Sequence, residues 1–298
     1  MTHLSPHAKG LLITVLGVLV LTPDSLLIRL VSADAWTLTF WRGVLYALGM
    51  SAAVAVLYRG RAREQFLALG RAGLLIGVIF GIGKVTFIVS ITHTTAANTL
   101  FIVSTSPLFA AIFAWLLMRE PVARLTWLAI GFALLGIGVI ASEGLDKGSV
   151  IGNIAALLTA VVLGTCFAIA RRYRELNVIP AMALSGLISA LLVLPLASPL
   201  SVAASDVAAL GLMGLVVLPL SFGLIFVGPR FIPAPEVSLV LLLEAVLGPY
   251  WVWLALGEEP SVRTLIGGTV VLATLAVHSA LRLARDWGGA GARVVSRN

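Results

Sequence analysis

Ten apolar runs, each about as long as a bilayer is thick, constrain this chain more than any other feature. A helix needs roughly 20 apolar residues to cross the hydrocarbon core. Of the 298 residues, 60% are hydrophobic and 11% are charged, against about 25% charged in a soluble domain. The sequence therefore predicts an all-α membrane protein with ten transmembrane helices. The predicted spans are 10–31, 36–57, 67–90, 95–118, 122–142, 149–170, 179–198, 206–227, 236–256 and 263–284.

The basic residues predict how these helices cross the membrane. With the N-terminus in the cytoplasm, the inner loops and tails carry 15 of the 20 Lys and Arg residues. The outer side carries Arg29, Lys147 and Arg263, while Arg42 and Lys84 lie inside spans. Because positive loops stay on the cytoplasmic side, we expect both termini to be cytoplasmic, in a bacterial inner membrane. The charges follow the loops and form no single patch, so the net charge of +7 does not indicate nucleic-acid binding.

The stretch from residue 97 to 121 recurs near the end of the chain, at 236–260. Each copy contains an internal proline, Pro107 or Pro249, and each ends on Glu-Pro. Self-similarity at a fixed spacing indicates structural repeats. Five helices in each repeat would turn the second copy upside down. We therefore predict two inverted five-helix repeats, at residues 1–145 and 146–287, followed by a disordered cytoplasmic tail at 288–298.

This pattern resembles the drug/metabolite transporter superfamily, in its ten-helix EamA-type branch. The chain is most similar there to the YddG-type exporters of aromatic and other neutral amino acids. The resemblance implies a secondary transporter that exports amino acids by alternating access, through a central cavity between the repeats. Such repeats place the substrate near mid-membrane. The residues that carry the resemblance are Ser106-Pro107-Leu108, Glu120-Pro121, Gly131 to Gly138, Glu259-Pro260, Gly267-Gly268, and the glycines that open the halves, Gly10 and Gly152.

Five ionisable side chains fall inside the predicted spans, where charge is costly and each is a candidate for function. They are Asp24, Arg42, Lys84, Glu244 and His278. Counting about 1.5 Å per residue places the first three in the outer half and the last two in the inner half, with Lys84 and Glu244 about 13 Å apart in depth. In one interpretation they only satisfy each other, Asp24 with Arg42 or Lys84, and Glu244 with His278. In the other they line a wet cavity that binds a zwitterion.

Lys84 and Glu244 are the best candidates for the substrate's carboxylate and ammonium. Lys84 follows Gly73, Gly77 and Gly81 at helical spacing. Because small residues let membrane helices pack closely, we expect Lys84 to point into the bundle. The other candidate substrate-binding residues are Trp41, Arg42, Tyr46, Phe101 and Tyr250. Phe80 and Phe87 are further candidates for the apolar walls around a substrate side chain. The candidates for a charge pair or an ion-coupling role are Asp24, His278 and Glu244. The candidate hinges, chosen because proline removes a backbone hydrogen bond, are Pro23, Pro107 and Pro249.

Catalytic and phosphate-binding motifs such as HExxH, GxSxG and GxxxxGK[ST] are absent from the sequence. The single cysteine, Cys166, excludes an internal disulfide. We therefore expect a non-enzyme without cofactor or metal, driven by a gradient of substrate or of protons. Its expected partners are amino-acid substrates and the lipid bilayer, and a monomer would suffice. The alternatives that stay open are a broad-specificity drug/metabolite exporter, an intramembrane transferase acting on a lipid-linked substrate, and a non-transporting scaffold or receptor.

Overall fold

The structure is a computed structural model that describes residues 5–94, 96–142, 149–257 and 261–295, with residues 96–98, 141, 249 and 285–295 described by their backbone alone. These ranges contain fifteen α-helices and no strand. The helices are α1 (Pro6–Leu21), α2 (Asp24–Leu30), α3 (Ala35–Tyr58), α4 (Ala62–Leu67), α5 (Gly70–His93), α6 (Ala96–Val103), α7 (Ser106–Met118), α8 (Arg124–Ala141), α9 (Val150–Arg172), α10 (Ile179–Val193), α11 (Asp206–Gly211), α12 (Leu218–Ile225), α13 (Ala234–Leu241), α14 (Leu243–Leu256) and α15 (Val262–Val295).

Ten apolar spans are built from these helices. Eight segments of the described chain are long and apolar enough to cross a membrane, and two shorter apolar helices, α8 and α10, complete the set. Four spans are interrupted: span 1 is α1 with α2, span 4 is α6 with α7, span 8 is α11, a π-helical segment and α12, and span 9 is α13 with α14. Spans 2, 3, 5, 6, 7 and 10 are α3, α5, α8, α9, α10 and α15. The predicted all-α fold class is confirmed, and the chain is a multi-pass membrane protein.

The two halves pack in a pattern that is preserved when they are exchanged. Span 2 packs on span 7 and span 5 on span 10, so equivalent spans meet directly. Span 3 contacts span 6 as span 8 contacts span 1, and span 4 contacts span 6 as span 9 contacts span 1. Five spans separate each equivalent pair, so the members of a pair run in opposite directions. The fold is thus two inverted five-helix repeats related by a pseudo-two-fold axis.

Two glycine pairs allow equivalent spans to approach each other closely. A Cβ at Gly43 would lie 2.7 Å from the Gly186 carbonyl oxygen, and one at Gly186 would lie 2.6 Å from the Gly43 carbonyl oxygen. The same reciprocal arrangement joins Gly136 of span 5 to Gly267 of span 10. Because only a residue without a side chain allows backbones to approach this closely, these glycines hold spans 2 and 7, and spans 5 and 10, in register.

Spans 4 and 9 break at equivalent positions. Span 4 breaks at Ser104 and Thr105, and Pro107 stands in the first turn of the helix that follows. Span 9 breaks at Leu242, and α14 then continues through Pro249 without interruption. The break therefore lies seven residues before the predicted hinge proline. A membrane helix tolerates proline because neighbouring groups satisfy the carbonyl that it leaves free.

The ends of the chain show where prediction and structure differ. Helix α15 extends to Val295, so residues 288–295 have a helical backbone where the sequence predicted a disordered tail. No proline lies in this segment to end the helix. Residues 296–298, the predicted boundary between the repeats at 145–146, and the second Glu-Pro pair at 259–260 lie outside the described residues.

Candidate functional site

The interruption in span 1 places a carboxylate inside the bundle. Helix α1 ends at Leu21, and Thr22 and Pro23 form a turn before α2 begins at Asp24. Asp24 is buried, and Arg42 of span 2 donates to it, with Nη2 at 2.7 Å from Oδ2. Of the two partners that the sequence left open for Asp24, the structure selects Arg42. This ion pair ties spans 1 and 2 together within the membrane.

Span 9 packs against the same interruption and brings Glu244 to it. The Trp251 indole donates to Thr22 Oγ1 at 2.8 Å, and a Cβ at Gly248 would lie 2.8 Å from Ser25 Oγ. Glu244 precedes Gly248 by one helical turn, on the face that meets span 1. Its carboxylate therefore lies within electrostatic reach of both Asp24 and Arg42.

This neighbourhood brings together residues that the depth count placed in different halves of the membrane. Residue counting placed Glu244 in the opposite half of the membrane from Asp24 and Arg42. The structure instead puts it within electrostatic reach of both. The count assumed straight, unbroken helices, whereas span 1 breaks at Thr22 and span 9 at Leu242.

Lys84 approaches this group of charges from span 3. Its Nζ lies 3.5 Å from the centroid of the Tyr46 ring and 5.3 Å from that of Phe80, a cation–π arrangement. A Cβ at Gly77 or Gly81 would lie 3.0 Å from a carbonyl oxygen of span 7, so the glycine face holds α5 inside the bundle as predicted. Lys84 is also within electrostatic reach of Arg42.

These four charged residues, Asp24, Arg42, Lys84 and Glu244, form what we call the central charge cluster. Asp24 and Arg42 satisfy each other. Over the described part of the chain, neither the Lys84 ammonium nor the Glu244 carboxylate has an ion-pair or hydrogen-bond partner. Leaving a desolvated charge uncompensated is costly. A ligand that carries both a carboxylate and an ammonium would remove this cost at both residues.

Five rings, which we call the aromatic cluster, pack together beneath Lys84. Phe222 of span 8 meets Tyr46 at 6.3 Å and Phe80 at 5.3 Å between ring centroids, and Phe226 meets Phe80 at 5.3 Å and Phe167 at 5.1 Å. Sequence reasoning missed three of these rings. Phe222 and Phe226 lie four residues apart in one span, and that spacing could have indicated a shared helix face. The members of the aromatic cluster are Tyr46, Phe80, Phe167, Phe222 and Phe226.

The other predicted aromatic residues have partners elsewhere. The Trp41 indole donates to the Pro199 carbonyl at 3.0 Å, beyond the end of span 7. Phe101 packs into a separate apolar core between spans 4, 5, 9 and 10. Tyr250 is 46% exposed and stacks edge-on with Trp253 at 5.7 Å. Of the aromatic residues predicted for the site, the structure thus brings Tyr46 and Phe80 into contact with Lys84.

Ion pairs link the spans at the face of the bundle where α1 begins, which we call the N-terminal face. His7 Nε2 lies 2.7 Å from Glu236 Oε2, and Arg282 donates to the other oxygen of that carboxylate. Arg171 donates to Glu120 at 3.0 Å and to the Pro229 carbonyl at 3.2 Å. The contacts of Glu236 join span 9 to spans 1 and 10, and the contact of Arg171 with Glu120 joins span 6 to the loop after span 4. A cavity of about 130 Å³ lies beside them, lined by Ala114, Glu120, Thr126, Pro235, Glu236 and Arg282 among others.

His278 belongs to this N-terminal face. Its Nε2 lies 3.2 Å from Thr126 Oγ1, and it is within electrostatic reach of Glu236, Arg282 and His7. The alternative in which Glu244 pairs with His278 is therefore wrong for the described residues. The break in span 9 separates Glu236, which is near His278, from Glu244, which is near Asp24.

Both the sequence and the fold of this chain match known proteins. The model of the "EamA-like transporter family" matches residues 8–142 and again residues 150–280. "Uncharacterized transporter YdfC" of Bacillus subtilis (strain 168) is 31% identical over 179 residues, which are 57% of this chain and 58% of the relative. A solved structure described as "Crystal structure of protein" superposes with a TM-score of 0.78 at 18% identity, over 92% of this chain and 98% of that one, and shares the fold.

Proposed function

Because the chain belongs to the EamA-like transporter family, we propose that it exports aromatic and other neutral amino acids across the bacterial inner membrane. One observation carries the choice of substrate. The Lys84 ammonium and the Glu244 carboxylate, which come from opposite halves, have no partner in the described chain. A zwitterionic amino acid supplies a carboxylate for the first and an ammonium for the second. Such charge-assisted hydrogen bonds are about twice as strong as neutral ones.

The surroundings of Lys84 support an apolar side chain on the substrate. Tyr46 and Phe80 lie directly against the ammonium, and Phe222 packs on both rings. A carboxylate bound at Lys84 would therefore bring the rest of the amino acid next to aromatic surface. Aromatic pairs contribute about 0.5–1.5 kcal/mol beyond the area that they bury. This surface favours aromatic and large apolar substrates.

The inverted repeats support transport by alternating access. Two halves with the same packing can exchange conformations, so that the site opens to one face and then to the other. In this structure the ion pairs of Glu236 and Glu120 join the spans at the N-terminal face, and the aromatic cluster packs against Lys84 inside the bundle. The N-terminal face is therefore the closed one under this proposal.

The distribution of charge supports a cytoplasmic N-terminal face. Outside the central charge cluster, two of the described Lys and Arg residues, Arg29 and Arg263, lie at the opposite face, and the others lie at the N-terminal face or in its loops. Labelling tests this orientation in a Cys166→Ser background. We expect Arg61→Cys to react with an impermeant maleimide from the cytoplasm and the exposed Leu200→Cys to react from outside. Reaction of both from the same side would contradict the inverted arrangement.

Exchange in proteoliposomes tests the proposed substrate. Purified protein should exchange internal phenylalanine, leucine or alanine for the labelled amino acid outside, and protein-free vesicles should not. Exchange of amphipathic cations without any amino acid would favour the broad-specificity drug/metabolite exporter. An imposed pH gradient tests the coupling: accumulation against the substrate gradient indicates proton coupling, and exchange alone indicates facilitated diffusion.

A further inference from the structure

Phe222 differs from the other members of the aromatic cluster in its exposure. Tyr46, Phe80, Phe167 and Phe226 are buried, each at most 4% exposed, whereas Phe222 is half-buried. Phe222 is also the ring of this cluster that meets both aromatic neighbours of Lys84, with interplanar angles of 80° to Tyr46 and 68° to Phe80. Phe222 is therefore the member of the cluster that keeps accessible surface, and it packs on both rings that contact the Lys84 ammonium.

The geometry around Lys84 limits where the rest of a bound amino acid can lie. A carboxylate oxygen that accepts from Nζ would stand about 2.8 Å from it, and the side chain begins only two bonds beyond the carboxyl carbon. Tyr46 and Phe80 already use their surfaces in packing and in contact with Lys84. Phe222 is the member of the cluster that has surface left for a ligand.

The backbone of span 8 sets the position of this ring. Residues Leu212–Val217 form a π-helical segment that packs on span 2, and Pro219 follows in the first turn of α12. A Cβ at Gly49 would lie 2.6 Å from the Pro219 ring, so the two spans are in close contact here. Insertions of this kind rotate the residues that follow them and occur often at functional sites. The insertion helps to direct Phe222 toward Tyr46.

We infer that Phe222 packs against the side chain of the transported amino acid and sets the preference between aromatic and small substrates. The inference rests on the proposed function, because it takes the Lys84 ammonium as the group that binds the substrate carboxylate. It adds a residue from the second half of the chain that determines specificity without carrying charge.

The matched control is Phe226, one helical turn along the same span. Phe226 is 1% exposed and packs on Phe80, Phe167 and Phe222, so it shares the cluster but offers no surface to a ligand. We expect Phe222→Ala to lower the ratio of phenylalanine to alanine exchange about tenfold, because one ring-to-ring contact and its buried area are lost. Phe226→Ala should reduce the yield of folded protein and leave that ratio near the wild-type value.

Exchange by the full-length protein in vesicles, with rates divided by the amount of monodisperse protein, gives the ratio. Phe222→Leu keeps an apolar side chain and provides a second variant in case Phe222→Ala does not fold. The stabilisation of detergent-solubilised protein by phenylalanine, compared with alanine, is an independent measure of binding. A ratio that falls in the Phe222 variants and not in Phe226→Ala supports the inference.

The inference is overturned if the ratio of phenylalanine to alanine exchange is unchanged in folded Phe222 variants, or if it changes equally in Phe226→Ala. In either case, amino-acid exchange by the wild type still supports the proposed function. A wild-type protein that exchanges no amino acid overturns the proposed function, and this inference with it.

Discussion

Lys84 and Glu244 are held by neighbours that position their charges without neutralising them. Aromatic rings hold Lys84, and the contact of α14 with the turn in span 1 orients Glu244. Asp24 and Arg42 satisfy each other beside them. The Asp24–Arg42 ion pair fixes the local structure, and under the proposed function Lys84 and Glu244 are the groups that bind the substrate.

The first prediction removes each unpaired charge. Lys84→Met and Glu244→Gln keep approximate size, and we expect each to lower amino-acid exchange per folded molecule at least tenfold, since a hydrogen bond to a charged group contributes about 1.5–3 kcal/mol. Lys9→Met is the matched control, because Lys9 also lies over an aromatic ring, that of Phe231 at 5.1 Å, but at the N-terminal face. Full exchange by folded Lys84→Met and Glu244→Gln would remove both residues from the site.

The second prediction concerns the ion pair of Asp24 and Arg42. Arg42→Gln should destabilise the protein by about 2–3 kcal/mol, somewhat less than a fully buried pair because the Arg42 side chain is 19% exposed. Adding Asp24→Asn should recover much of this loss, because a neutral amide then replaces the carboxylate that Arg42→Gln leaves unpaired. Thermal unfolding of the two single variants and the double variant in detergent gives the coupling. Additive losses would show that the pair does not contribute as a unit.

The sequence allowed the charged residues to be found, and it offered Arg42 as one of two partners for Asp24, but it did not decide which residues pair. Charges inside apolar runs are visible in any hydropathy profile, and the glycine spacing before Lys84 indicated that it points inward. The partners of Glu244 and His278 depend on where the helices break. Span 9 breaks at Leu242, which no proline or glycine marks. Phe167, Phe222 and Phe226 of the aromatic cluster were missed because an apolar run gives no sign of which rings meet.

At the scale of elements, the helix breaks and the glycine contacts have different roles in the fold. Breaks in spans 1, 4 and 9 let short helices change direction and place polar groups inside the bundle. The glycine pairs hold the long helices of spans 2, 7, 5 and 10 close together. Self-similarity of the two Glu-Pro stretches predicted the repeats, whereas the break in span 9 arises from packing and had no local signal.

The third prediction tests the glycine contact between spans 2 and 7. A side chain at Gly43 would meet the Gly186 carbonyl and the Ala190 nitrogen, both backbone atoms that cannot move aside. We expect Gly43→Leu to cost about 3 kcal/mol or more, at the upper end of overpacking, and to lower the yield of monodisperse protein. Gly131→Leu is the control, since no atom lies within 4 Å of a Cβ there. Equal stability of the two variants would contradict the role of Gly43.

For the whole molecule, the pseudo-two-fold axis relates the N-terminal face to the opposite face, and under the proposed function the two faces open in turn. Glu236 binds His7 of span 1 and Arg282 of span 10 through different oxygens, and we propose that these contacts keep the N-terminal face closed. Span 9, which carries Glu236, also carries Glu244 beyond its break. Movement of α13 relative to α14 at Leu242 would therefore connect this closure to the central charge cluster.

The fourth prediction asks whether these ion pairs keep the N-terminal face closed. Ala114 is 1% exposed and lines the cavity beside Glu236, so Ala114→Cys in a Cys166→Ser background should react slowly with a water-soluble maleimide. Glu236→Gln removes the charge that binds His7 and Arg282, and we expect it to raise the labelling rate about tenfold, the effect of some 1.4 kcal/mol on the closed population.

Asp206→Asn is the control for this experiment, because Asp206 accepts from the Ser32 amide and hydroxyl, at 3.0 and 2.8 Å, at the opposite face. Loss of that contact should leave labelling at position 114 unchanged or slower, since two faces that open in turn cannot both be favoured by one change. Faster labelling in both variants would indicate general loosening of the bundle. Unchanged labelling in folded Glu236→Gln would show that the aromatic cluster alone closes this face.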